Sequence, residues 1–236
     1  MLTGNFSFQT FSPTPGSYAI HRVAFDAECD VPHVKKLADL PDISQPNGIV
    51  AVPDSSDVLI ADTRGGFLYR FDTTTRKSTV YFDDPLLKPN STQGILFGVN
   101  GVKFSHGYLY FSNTNKQIVA RVKASGKEPV LRAKPEVVVT QTSVDDFTVD
   151  DRNGDIYTAE QTGVNGVGFV SRDSYGSSPE IIAGGSNSTA ILTPTAVILA
   201  KGAVGRTLLV SLVGDFMQFI TGNFTGGGKI ATVHLN

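Results

Sequence analysis

The sequence has no tryptophan, one cysteine and two methionines among its 236 residues. The single cysteine, Cys29, excludes an internal disulfide and a zinc site made of several cysteines. Neither charge sign dominates, because 20 Lys and Arg face 22 Asp and Glu, and a chain without excess positive charge is not expected to bind nucleic acid. No apolar run approaches the roughly 18 residues that span a bilayer. We therefore expect neither nucleic acid nor a membrane as a partner.

Signals for a cellular compartment are few. Residues Met1 to Ser7 carry neither the charged start nor the apolar stretch of a signal peptide. Glycosylation sequons of the form Asn-x-Ser/Thr occur at Asn5, Asn90, Asn187 and Asn223. Their number favours a secreted glycoprotein, and the alternative is that they arose by chance in loops rich in turn residues.

A pattern of four short strands recurs along the chain. In one copy, segments rich in β-branched and aromatic residues are separated by turn residues, which is typical of antiparallel strands. These segments are Asn47–Val52, Val58–Asp62, Phe67–Asp72 and Ser78–Phe82. Similar units, with a period of about 45 to 53 residues, extend over residues 1–40, 47–82, 100–139, 145–183 and 195–236.

This repeat predicts an all-β fold in which residues 1–236 form one β-propeller domain with four-stranded antiparallel blades. Each small sheet of a propeller buries both faces against its neighbours around a common axis. A β-sandwich also has short strands joined by turns and is the structural alternative. The recurring Asn-Gly or Asp-Asp at the start of the innermost strands argues against a sandwich.

The predicted ring is incomplete. The first unit supplies two strands and the last supplies three, so the chain amounts to about four and a half blades. Free sheet edges expose unpaired backbone groups and seldom remain bare. We expect one of three outcomes: a further segment completes the ring, two chains self-associate through the open sector, or the chain closes into a smaller ring.

The starts of the predicted innermost strands carry a resemblance to a known family. These starts are Pro46–Ile49, Gly98–Val102 and Val144–Phe147. They resemble the six-bladed propellers of the regucalcin, gluconolactonase and strictosidine-synthase type. Three further segments are similar to the fungal branch of that family: Val58–Asp62, His106–Thr114 and Asn187–Ala196. The resemblance implies six blades in a full-length member, of which this chain lacks the first blade and a half.

The resemblance and the incomplete ring leave three functions open, because one fold hosts many activities. The first is a cyclase of fungal secondary metabolism, similar to the hetero-Diels–Alderases of tropolone-sesquiterpenoid pathways, which joins an apolar polyene to a reactive heterodiene. Such an enzyme needs no cofactor, and its partner is a small apolar substrate. The second is a calcium-dependent lactonase of the gluconolactonase type. The third is a propeller that binds a ligand without catalysis.

The candidate site lies where the innermost strands begin, because these points converge on the propeller axis. For the cyclase we expect Asn47, Asn100 and Thr195 to donate hydrogen bonds to the substrate, with Asp145 beside them as a fourth catalytic residue. For the lactonase, the resemblance implies that Asn47, Asn100 and Asp145 are calcium ligands, and Asp145 is alternatively the base toward a metal-bound water. The adjacent Asp146 leaves the register of this strand open by one residue, and a shift of one residue turns a side chain to the other face.

Other residues complete the predicted substrate site. Leu96 and Phe97 are apolar residues in the loop before the second blade start, where we expect them either to form an apolar wall of the site or to pack on the neighbouring blade. Asp146 and Asn113 are further substrate-binding candidates. Structural alternatives exist for the polar residues: Asn-Gly at Asn47 and Asn100 can simply make a turn, and Asp145 or Asp146 can cap backbone donors.

Overall fold

The computed structural model describes residues 1–7, 10, 12–25, 31–90, 96–124, 134–161, 163–200, 206–215, 221 and 228–235. Within these ranges almost all regular structure is β-strand, and the one helical element is a short 3-10 turn at Arg172–Ser174. None of the described helical residues forms a segment long and apolar enough to cross a membrane. The predicted all-β fold class is confirmed.

Three consecutive sheets have four antiparallel strands each, in sequence order. The second sheet contains β6 (Pro46–Ala51), β7 (Val58–Asp62), β8 (Phe67–Asp72) and β9 (Lys77–Phe82). The third contains β10 (Val99–Ser105), β11 (Tyr108–Asn113), β12 (Ile118–Lys123) and β13 (Glu136–Thr140). The fourth contains β14 (Val144–Val149), β15 (Ile156–Glu160), β16 (Gly166–Val170) and β17 (Glu180–Gly184). This meander is the blade of a β-propeller.

The first and fifth sheets are smaller, with three strands each among the described residues. The first has the order β1–β4–β5, with β1 at Leu2–Thr3, β4 at Ala19–Phe25 and β5 at Pro32–Asp39. Between β1 and β4, a separate two-stranded ribbon is formed by β2 (Phe6–Ser7) and β3 (Ser12–Pro13). The fifth sheet contains β18 (Pro194–Leu199), β19 (Arg206–Leu212) and β20 (Lys229–Leu235). The sequence pattern predicted β4, β5 and the fifth sheet, but it did not predict β1 or the ribbon.

Apolar side chains hold each sheet against the next. One cluster joins the second and third sheets through residues such as Leu59, Leu68 and Phe111, which are fully buried. Across this interface the rings of Phe82 and Phe111 meet edge to face, with centroids 6.2 Å apart. Two further clusters join the third to the fourth sheet and the fourth to the fifth. Burial on both faces explains why the middle strands of the second to fourth sheets are almost continuously apolar.

The outer faces of the first and fifth sheets carry exposed apolar side chains. Phe25 is 75% exposed and Val34 54%, whereas in the fifth sheet Ile198 is 50% exposed and Ile230 67%. Such surfaces are typical of faces that another element covers. The predicted completing segment or self-association agrees with this exposure and stays a prediction.

Each innermost strand has an irregularity in its pairing at the same place. In β6, Pro46 pairs with Asp62 and Ile49 with Ile60, so Asn47 and Gly48 together face a single residue of β7. Equivalent shifts occur between Val99 and Val102, between Val144 and Phe147, and between Pro194 and Ala196. A β-bulge redirects the side chain at its first position. The four bulges therefore place Asn47, Asn100, Asp145 and Thr195 at equivalent positions.

The glycines of the Asn-Gly pairs in β6 and β10 allow neighbouring innermost strands to approach closely. A Cβ atom added to Gly48 would lie 2.2 Å from the carbonyl oxygen of Asn100, and one added to Gly101 would lie 2.0 Å from Oδ1 of Asp146. Both glycines lie inside strands rather than in turns. The alternative interpretation of Asn-Gly as a simple turn is therefore wrong, because the glycines are needed for contact between blades.

Candidate functional site

A pocket of about 340 Å³ lies where the innermost strands begin. Its lining includes the four residues at the bulges, Asn47, Asn100, Asp145 and Thr195. Since these residues are up to 148 positions apart in the sequence, only the convergence of β6, β10, β14 and β18 brings them together. The structure thus assembles all four predicted catalytic residues in one pocket.

Asp145 is the carboxylate of this pocket. Its Oδ1 accepts a hydrogen bond from Nδ2 of Asn100, and its Oδ2 accepts one from Nε2 of Gln161 at 2.5 Å. The pKa of Asp145 is raised to about 7, mainly by burial and additionally by repulsion from Asp146, while the hydrogen bond from Asn100 lowers it. A carboxyl group with a pKa near neutrality can accept and release a proton during a reaction.

Asp146 points away from the pocket lining. Its two carboxylate oxygens lie 2.7 and 2.8 Å from Nζ of Lys103, and Oδ1 also accepts a hydrogen bond from the backbone of Phe147. Because the bulge sends Asp145 inward and its neighbour outward, the register left open by the sequence is settled in favour of Asp145. The structure therefore gives Asp146 a place in an ion pair between blades rather than beside a substrate.

Asn113 also lies outside the pocket lining. It is fully buried, and its Nδ2 donates to the carbonyl oxygens of Leu86 and Lys88 at 2.8 and 3.0 Å. Asp62 and Glu160 occupy the equivalent positions at the ends of β7 and β15 and bind backbone donors of the preceding loops. These contacts give Asn113 a structural role in the repeat, so its prediction as a substrate-binding residue is not supported by its position. The recurring Asp, Asn or Glu at the end of the second strand was a sequence signal for this role.

Aromatic residues form one wall of the pocket. Phe97 lines it as predicted, and its backbone N–H donates to Oδ1 of Asn115 at 2.9 Å, which holds the loop in place. Phe6 from the ribbon contacts Phe97 with ring centroids 6.4 Å apart, and Tyr18 lines the same pocket. Leu96 is partly buried and is not among the lining residues. Sequence reasoning missed Phe6 and Tyr18 because they precede the first complete unit of the repeat.

Two hydrogen-bond donors of the pocket are available to a ligand. Asn47 is exposed at the start of β6. The Thr195 hydroxyl lies 2.8 Å from the Ser211 hydroxyl, and either oxygen can be the donor of this bond. The Thr195 hydroxyl also lies 3.5 Å from the carbonyl oxygen of Ser211, to which it can donate. When the Ser211 hydroxyl donates to Thr195, the Thr195 proton can turn from this long contact toward a bound molecule.

The donor set of this chain does not fit a calcium ion. Calcium takes about six to eight oxygen ligands and favours several carboxylates. Of the predicted ligands Asn47, Asn100 and Asp145, one is a carboxylate, so the set offers three side chains and a single negative charge. In the part of the chain that the structure describes, no three His, Cys, Asp or Glu residues are grouped as a metal site requires. The reaction proposed below therefore does not involve a metal ion.

Solved structures of several kinds of protein have a similar backbone. Regucalcin from Agrobacterium tumefaciens, described as a calcium-binding protein, matches with a TM-score of 0.58 and 20% identity over 88% of this chain and 68% of that one. This likeness shows a β-propeller fold. A provisionally assigned gluconolactonase matches with a TM-score of 0.53 and 17% identity, over 91% of this chain and 73% of that one.

The same fold also occurs outside these proteins. A chain of a nidogen–laminin complex matches with a TM-score of 0.62 and 13% identity, over 83% of this chain and 67% of that one. No protein-family model and no curated protein sequence matches the chain. At these identities the likeness establishes the fold, and the reaction has to be inferred from the pocket. The similarity to a fungal cyclase branch and the missing blade and a half stay predictions.

Proposed function

We propose that this chain is a hydrolase of small lactones whose substituents are largely apolar, with Asp145 as the general base. The observation that carries the proposal is the carboxyl group of Asp145 at the floor of a pocket with an aromatic wall. The presence of gluconolactonase-like proteins among the structures with this fold supports the choice of substrate class. The relatives are similar in fold only, so the reaction is inferred from the residues of this pocket.

The pocket supplies the groups that hydrolysis of an ester bond needs. Ionised Asp145 accepts a proton from a water molecule while the water oxygen bonds to the carbonyl carbon of the lactone. The amide of Asn47 and the hydroxyl of Thr195, which line the same pocket, donate to the carbonyl oxygen, on which negative charge develops. The ring C–O bond then breaks, Asp145 returns the proton to the departing oxygen, and the product is a hydroxy acid.

The aromatic wall determines which lactones are favoured. Phe6, Tyr18 and Phe97 offer apolar surface to the part of the substrate that does not react. Burial of apolar area contributes roughly 25 cal/mol per Å², so an alkyl or aryl substituent should bind better than the hydroxyl groups of a sugar lactone. The proposed reaction is therefore that of the sequence-based lactonase alternative, but it does not involve a calcium ion.

The same wall favours the cyclase as a second candidate. Cycloaddition of a polyene to a heterodiene needs an apolar pocket that holds both partners and a donor that polarises the heterodiene oxygen. Phe6 and Phe97 supply such a surface, and Asn47 and Thr195 supply donors. Cycloaddition does not need the carboxylate of Asp145, and for this reason lactone hydrolysis is the first proposal.

An assay of the purified chain on a panel of substrates tests the proposal. The panel contains gluconolactone, γ- and δ-lactones with alkyl substituents, and a polyene with a heterodiene, each measured with EDTA and with added calcium. We expect hydroxy acid from the alkyl lactones at rates well above buffer in both conditions. Loss of hydrolysis in EDTA would show that a metal is required after all, and formation of a cycloadduct without lactone hydrolysis would favour the cyclase.

A further inference from the structure

The residue directly after the second strand of each sheet occupies an equivalent position throughout the repeat. In the second to fifth sheets these residues are Thr63, Thr114, Gln161 and Val213. Their backbone N–H groups donate, in the same order, to the carbonyl oxygens of Gln45, Gly98, Ser143 and Thr193, at 2.9, 3.2, 3.0 and 3.1 Å. The backbone is therefore fixed in the same way at all four positions, and any difference among them lies in the side chain.

In the second and third sheets this side chain ties one blade to the next. The hydroxyl of Thr63 donates to the carbonyl oxygen of Val99, the first residue of β10. In the same way the hydroxyl of Thr114 donates to the carbonyl oxygen of Val144, the first residue of β14, at 3.1 Å. A threonine at this position thus links its blade to the innermost strand of the next blade.

In the fourth sheet, which contains Asp145, the residue at this position is Gln161, and its side chain has a different partner. Its side chain lines the pocket, and Nε2 donates to Oδ2 of Asp145 at 2.5 Å. Asn100 meanwhile donates to the other oxygen, Oδ1, and its Nδ2 is also 3.0 Å from the hydroxyl of Thr114. Because a donor from each side holds a different oxygen, the carboxyl group cannot rotate freely about its Cβ–Cγ bond.

We propose that Gln161 is a positioning residue for Asp145, placed in the repeat for the reaction rather than for stability. This inference rests on the proposed function, in which Asp145 accepts a proton from water. A carboxylate oxygen has two lone pairs, so one donor at each oxygen leaves acceptor capacity that faces the pocket. With the plane of the carboxyl group fixed, that capacity points in a constant direction toward the attacking water.

The variant Gln161→Thr tests this directly, because it restores the residue found at the same position in the second and third sheets. We expect a crystal structure of the variant to show the Asp145 carboxyl group rotated or in more than one orientation. On an alkyl lactone we expect kcat to fall about tenfold, the effect of losing roughly 1.4 kcal/mol, with KM little changed. The melting temperature should be equal to or higher than that of the unaltered chain.

Thr63→Val is the matched control, since it removes the corresponding tie between blades away from the pocket lining. It should lower the melting temperature and leave kcat unchanged. An unmoved Asp145 in the Gln161→Thr structure would overturn the positioning role, whatever the activity. If instead Asp145 moves but the unaltered chain hydrolyses no lactone, the proposed reaction is wrong while the positioning of the carboxyl group stands.

Discussion

Replacement of Asp145 by asparagine is expected to lower kcat for lactone hydrolysis by about 10³-fold, within the range that a general base contributes. The amide cannot accept the proton of the attacking water, although it has nearly the same size. Its oxygen can still accept from one of Asn100 and Gln161, and the other amide has to turn its oxygen toward the new NH2 group. KM should change little, because Asn47, Thr195 and the aromatic wall stay in place. Steady-state kinetics on an alkyl lactone, measured above neutral pH, provide the test.

Asp146→Asn is the control for this substitution, because it alters the adjacent carboxylate. Asp146 pairs with Lys103 outside the pocket lining, so the variant should retain most of its activity at alkaline pH. Its melting temperature reports separately on the loss of the ion pair. Equal loss of activity in both variants would mean that charge in this strand, rather than Asp145 as a base, is required.

Replacement of Gly48 by alanine is expected to destabilise the fold by about 2 kcal/mol or more, the effect of overpacking a close contact. The added Cβ would lie 2.2 Å from the carbonyl oxygen of Asn100, and a backbone atom cannot move aside as a flexible side chain can. The second and third sheets must therefore separate, which also shifts Asn100 at the pocket floor. Denaturant unfolding of the variant measures the effect.

Gly228→Ala provides the matched glycine control next to β20. The nearest contact of its added Cβ is the carbonyl oxygen of Leu212 at 3.5 Å, an ordinary van der Waals distance. We expect the free energy of unfolding of this variant to differ little from that of the unaltered chain. If Gly48→Ala were tolerated equally well, the close approach of neighbouring innermost strands could not be the reason for the Asn-Gly pairs.

The sequence was sufficient to predict the fold because the repeat consists of short runs of apolar, β-branched and aromatic residues separated by turn residues. Strands such as β7 and β11 are long enough for these runs to be visible. By contrast β1 and the ribbon have only two residues per strand, which is too short for any periodic signal. Their positions depend on packing against the first complete sheet and against Phe97, which lies far away in the sequence.

The candidate site could be predicted only where the repeat supplied it. Asn47, Asn100 and Asp145 were found because they begin equivalent strands. The choice between Asp145 and Asp146 required the bulge in β14, which the sequence does not reveal, since two adjacent aspartates look alike. Gln161 was not predicted, because the residues equivalent to it can be recognised only when the strands are aligned in space. That alignment shows a threonine at this position in the second and third sheets and a glutamine in the fourth.

The most direct test of Asp145 as the base is the pH dependence of kcat/KM for an alkyl lactone. Burial, followed by repulsion from Asp146, raises the pKa of Asp145 to about 7, and only the ionised form can accept the proton. The rate should therefore rise with pH, reach half its maximum near pH 7 and level off above it. A profile that stays flat from about pH 5 to about pH 9, or one that falls as the pH rises, would contradict the assignment of Asp145 as the general base.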